Sequence, residues 1–226
     1  MLAILSLAGA ALLLLVVFLV QPFSGHVPSL DRLFVGGAFI SSSILGFTLA
    51  VRPGWFKRTT HTSNPPSSPD SRMENAPGRI GHHPDCGNFS RHVLRIGNRR
   101  RCAACTGLAG GSLLAIVLMS LYVIVPIELT FQVSLFLVLI GMFIVAVNQV
   151  DVVLPSRNPM VHSVLNAMLV LAFLSVVVGV LDITGNLVYG FFAIVISYLW
   201  LDTRVQLSNW RHAKICSNCS KPCKVY

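Results

Sequence analysis

The chain has 226 residues, 54% of them hydrophobic and only 11% charged, with a formal net charge of +9. Soluble domains carry roughly 25% charged residues, so this composition excludes an ordinary soluble protein and points to the bilayer. The positive charge sits in two segments that flank apolar runs, which favours membrane orientation and anionic lipid over nucleic acid as its explanation.

Met1–Val20 is almost wholly apolar and long enough to span, since about 20 residues cross the hydrocarbon core. It lacks a positive n-region and a small-residue cleavage site, so it reads as a retained first span rather than a signal peptide. Gln21–Leu30, with Pro22, Gly25 and Pro28, is a turn. Leu33–Val51 is the second span, and its Ser41-Ser42-Ser43 run can bond across a helix interface or back to its own backbone. Thr59–Gly78 holds Pro65, Pro66, Pro69 and Pro77 among Ser, Thr and Asn, a composition that predicts disorder.

The third span runs from about Thr106 to Val125 and opens with Gly107, Gly110 and Gly111, which permit close helix approach. Leu129–Val147 is the fourth and ends in Asn148-Gln149-Val150-Asp151. A loop with Pro155, Arg157, Asn158 and Pro159 leads to the fifth span, Val161–Leu181, where His162 and Asn166 share a face. Asp182–Gly185 is a turn with Asp182 in a capping role, and Asn186–Leu201 is a short sixth span. Tyr198, Trp200 and Trp210 read as interfacial anchors.

The expected fold is therefore all-α, a polytopic transmembrane bundle of about six spans with a small cytoplasmic Cys/His metal-binding module. Its parts are 1–51 (spans one and two), 52–81 (basic, Pro/Ser-rich linker), 82–105 (metal module), 106–201 (spans three to six) and 202–226 (basic tail). Ten arginines and lysines lie between spans two and three, and five more in the tail. The positive-inside rule then places that loop and both termini in the cytoplasm of a multi-pass cell-membrane protein.

The six cysteines fall in two groups of three, and none lies inside an apolar run. Cys-x-x-Cys spacing with histidine nearby, on a cytoplasmic face, reads as metal ligation rather than disulfides. The first group is His82 or His83 with Cys86, Cys102 and Cys105. Two ligand pairs at two- to four-residue spacing suit tetrahedral zinc. Between them, Val93, Leu94 and Ile96 precede Gly97-Asn98, a pattern for a small hairpin as in zinc ribbons. The second group is His212, Cys216, Cys219 and Cys223, which can close its own site or lend ligands to the first. Zinc is the expected metal, ahead of iron–sulfur. The polar band Asn148, Gln149, Asp151, Arg157, Asn158, His162 and Asn166 has two readings. One is capping and helix-to-helix hydrogen bonding; the other is a polar pocket facing the metal module, with Asp151 or His162 as a catalytic base.

Cys102-Ala-Ala-Cys105-Thr106-Gly107-Leu108, entering a Gly-rich span, resembles the Cys-x-x-Cys-Thr-Gly signature of a family of uncharacterised prokaryotic membrane proteins, domains of unknown function. His82-His83-Pro84-Asp85-Cys86, with Phe89 and His92, looks like an archaeal-type variant. The resemblance covers roughly 81–179; Ala104 stands where many relatives have Arg, and the Cys-rich tail is this chain's own. It implies a polytopic membrane protein with a metal site and brings no reaction with it. The functions expected are three. The first is a membrane protein with one or two structural zinc sites that organise the bundle or dock a protein partner. The second is a membrane-embedded metal-dependent hydrolase or a thiol–disulfide oxidoreductase. The third is a transporter or metal-handling protein.

Overall fold

The protein is described by a computed structural model covering residues 2–21, 23, 25–51, 79–80, 93–96, 99–125, 127–153 and 158–217. The side chains of 2, 3, 79, 80, 95, 96, 99, 100, 212, 213 and 215–217 are excepted. Among the described residues six helices carry the fold: α1 (Leu2–Leu19), α2 (Ser29–Val51), α3 (Ala103–Ile124), α4 (Phe131–Val153), α5 (Pro159–Thr184) and α6 (Leu187–Ser217). Five of them, α2 to α6, are long and apolar enough to cross a membrane. In hydrocarbon only a helix satisfies every backbone group within its own segment, which is why such runs adopt no other form. Phe34, Phe136, Phe143 and Val195 are 59–64% exposed; on an apolar helix these are lipid-facing positions. The chain is a multi-pass membrane protein. The remaining helix, α1, is apolar but shorter.

α5 is the centre of the bundle. It packs on α3, α4 and α6, and most of its C-terminal half is buried. Its ends are set by local chemistry. The Asn158 side chain accepts a hydrogen bond from the Met160 amide, with Pro159 opening the helix. At the far end Gly185 takes a left-handed conformation (φ 57°), which ends helices at low steric cost only for glycine. Asn186 then caps α6 through the Val188 amide, at 2.8 Å. The turn is thus two residues long, and α6 runs back antiparallel to α5.

α6 does not stop at Leu201, where the sequence suggested, but continues through Ser217. At 1.5 Å per residue it is about 46 Å long, well beyond a hydrocarbon core of about 30 Å. The segment expected as a basic tail is therefore helical through Ser217. Leu201-Asp202-Thr203-Arg204 holds no helix breaker, so the loss of apolarity there marks the membrane boundary and not the helix end. Trp200 also departs from expectation. It is buried, donating from Nε1 to the Ser6 carbonyl of α1 at 3.1 Å, whereas Tyr198 and Trp210 are exposed as anchors would be. Ser41 and Ser42 bond to their own helix at Gly37 and Ala38.

Beside the helices stands a small sheet of β1 (Arg79–Ile80), β2 (Val93–Ile96) and β3 (Arg99–Cys102), in the order β1-β3-β2. β2 and β3 are antiparallel, with Val93 opposite Cys102 and Ile96 opposite Arg99. This is the hairpin that the alternation of Val93, Leu94 and Ile96 suggested, and β1 adds a parallel strand to it. β3 passes into α3 with no intervening residue.

Candidate functional site at the cysteine end of the bundle

The stretch Cys102–Gly107 straddles the junction of sheet and membrane helix. Cys102 closes β3 with extended backbone, and Cys105 lies in the first turn of α3. The two thiols interact directly and are not joined as a disulfide. Ala103 is fully buried. The Thr106 hydroxyl donates back to the Cys102 carbonyl at 2.9 Å, closing the first turn. Gly107 lies against α5 so closely that a Cβ there would collide with the Ser163 carbonyl oxygen. One turn on, Gly111 meets the Ala167 backbone in the same way, whereas Gly110 faces open space. Ala103, Thr106 and Gly107 of this stretch thus each have a steric or hydrogen-bonding reason. The glycine brings the cysteine-bearing end of α3 onto the first turns of α5.

Those turns of α5 carry the polar band. His162 Nδ1 meets Asp151 Oδ2 of α4 at 2.9 Å, with 15% and 6% of the two side chains exposed. A carboxylate at Nδ1 holds that nitrogen protonated and leaves the lone pair of a neutral ring on Nε2. Asn166 donates to the His162 carbonyl of its own helix at 2.5 Å, and Asn148 donates across to the Leu165 carbonyl at 2.7 Å. Both asparagines are fully buried. Gln149 turns the other way, to the Trp200 carbonyl of α6 at 3.0 Å. Arg211, also of α6, donates to the Val152 carbonyl at 2.6 Å. Arg157 lies outside the described residues, so the expected Asp151–Arg157 pair does too.

Spacing along the chain did not single out Arg204. It is 6% exposed, one turn beyond Trp200, and close enough to Asp151 to feel its charge. Its only signal in the sequence is that the helix carrying it does not break, which puts it on the bundle side of a continuous α6. A second missed cluster occupies the opposite end. The Arg32 guanidinium lies 4.9 Å from the Tyr122 ring centroid and donates to the Val125 carbonyl at 3.3 Å. The Tyr122 hydroxyl donates to Asp182 at 3.1 Å. Asp182 thus ties α5 to α3 rather than capping a turn. Nearby, His26 and Glu128 pair at 3.0 Å on the exposed surface.

For metal binding, Cys102 and Cys105 could supply two thiol ligands from the strand-to-helix junction. Among the described residues no three His, Cys, Asp or Glu side chains converge. His82, His83, Cys86, Cys219 and Cys223 lie outside the described residues. His212 and Cys216 belong to α6, four residues apart along the helix. No protein-family model, no curated protein and no solved structure matches the chain.

Proposed function

We propose that this is a multi-pass membrane protein whose cytoplasmic face carries a structural Cys/His zinc module, seated on the bundle so that it organises helices α3, α5 and α6 or docks a protein partner. The observation that supports this most is the pair of thiols at the uninterrupted β3–α3 junction. Cys102 and Cys105 would supply two ligands, and His82 or His83 with Cys86 would complete the site. His212, Cys216, Cys219 and Cys223 would form a second site or share the first. Zinc with four protein ligands would crosslink sheet, α3 and α6 and contribute to folding outright. The density of Arg and Lys between α2 and α3 and after Leu201 supports a cytoplasmic assignment for this end. With α1 as a sixth span, both termini lie there too. This reading keeps the chain beside the membrane proteins with the Cys-x-x-Cys-Thr-Gly signature.

The test is metal stoichiometry of protein purified without chelators, wild type against Cys102→Ser and Cys216→Ser. Two metals falling to one in each variant means two sites. One metal lost in both means a shared site. A wild type that carries no metal overturns the proposal.

A second reading, a membrane-embedded hydrolase, is favoured by one observation: Asp151 and His162 face inward and pair, at the same end as the cysteines. His162, oriented by Asp151, would accept a proton from water at Nε2. That reading needs His162→Gln to abolish turnover while leaving metal content unchanged.

A further inference from the structure

From the surroundings of Arg204 we infer a second ligand site at this end, a phosphate-binding site built on α4 and α6 and independent of any metal. The guanidinium is more than nine-tenths buried, yet its Nε and Nη2 have no hydrogen-bond partner. A buried guanidinium with unmet donors is among the most costly groups a fold can hold, and its planar fork matches the oxygens of phosphate. Asp151, the carboxylate near Arg204 among the described residues, is engaged by His162 at 2.9 Å. Arg211, two turns further along α6, adds a second guanidinium, so the site is cationic. Gln149, held on the Trp200 carbonyl one turn from Arg204, has its Oε1 buried and unmet. That acceptor suits a hydroxyl on the ligand.

Depth along the helix agrees. Arg204 lies about 26 Å along α6 from Leu187, close to the far edge of a hydrocarbon core of about 30 Å. Phosphate groups of the adjoining leaflet reside at that level. Two sources share this chemistry: the headgroup of an anionic phospholipid such as phosphatidylglycerol, and a soluble phosphate compound entering from the aqueous side.

The experiment uses the full chain in nanodiscs. In one arm the lipid is phosphatidylcholine and inorganic phosphate is titrated calorimetrically. In the other, phosphatidylglycerol is mixed in and the lipid retained by the protein is measured by native mass spectrometry. Saturable binding in the first arm identifies a soluble phosphate; retention in the second alone identifies the headgroup. Arg204→Gln should weaken the positive arm at least tenfold, and Lys214→Gln, an exposed cation on the same helix, should leave it unchanged. Arg204→Lys keeps the charge and loses the fork, so it should bind several-fold more weakly. It decides the matter if the glutamine variant does not fold. Wild type that binds in neither arm, or an Arg204 variant that binds as wild type does, overturns the site. Cys102→Ser should bind as wild type does, which separates this result from the fate of the metal module.

Discussion

Each end of α5 is gripped by a buried polar cluster, and the two are built differently. At the cysteine end, α4, α5 and α6 share an ion pair, two asparagines reaching backbone carbonyls, and a guanidinium with unmet donors. At the other end, Arg32, Tyr122 and Asp182 join α2, α3 and α5 through one hydroxyl, one ring face and one carbonyl. The second cluster is a short relay that leaves two buried atoms, Arg32 Nε and Asp182 Oδ2, without a hydrogen-bond partner. The first holds more polar atoms than the protein itself satisfies: Asn148 Oδ1, Gln149 Oε1, Asn166 Oδ1 and two nitrogens of Arg204. Unmet buried polar atoms on several helices at one level are costly where the purpose is only to join helices. The two ends thus differ in degree, with five such atoms at the cysteine end and two in the Arg32 cluster.

The largest expected effect tests the crowded end. Asp151→Ala removes the partner of His162 and the counter-charge near Arg204. Breaking a buried pair in this way costs about 3–5 kcal/mol, read as lost stability in detergent unfolding. It should also speed maleimide labelling of Cys105, because the first turns of α3 and α5 pack together. A variant that unfolds as wild type does would remove the distinction between the ends.

Next comes Gly107→Ala, which puts a methyl group into the Ser163 carbonyl. Overpacking of this kind costs about 1–3 kcal/mol. Gly110→Ala, in open space, should change stability by no more than about 0.5 kcal/mol. At the opposite end, Arg32→Gln loses the cation over Tyr122, at about 1 kcal/mol, and should leave both metal content and Cys105 labelling unchanged. If it alters either, the two ends are coupled through α5 rather than separate. Smallest is Tyr122→Phe, which deletes one interhelical hydrogen bond. Such bonds in membranes average about 0.6 kcal/mol, so this change should be close to the limit of an unfolding measurement.

Much of this arrangement is legible in the residues. Length and apolarity located α2, α3 and α5 to within about four positions, whereas α4 continues through its polar end to Val153, six residues past the expected Val147. The alternation around Val93–Ile96 with Gly97-Asn98 described the β2–β3 hairpin, and the Asp151–His162 band was visible as polar residues at the ends of two spans. The end of α6 was not, because hydropathy reports where lipid stops and says nothing of where hydrogen bonding along the helix stops. Trp200 was misread for a related reason. An indole near a span end is compatible with both interface and core, and only the packing of α1 against α6 chooses.

By itself, then, the sequence determined that the chain crosses a membrane several times and that a hairpin leads into α3. These follow from composition and from local periodicity. The tertiary structure alone decided which polar groups meet. Asp151 and His162 are close in sequence yet need antiparallel helices in a particular rotation to touch. Arg204 is drawn beside them only because α6 continues unbroken. Cys102 and Cys105 reach the same neighbourhood because Gly107 has no side chain, so α3 can close onto the backbone of α5 at that point.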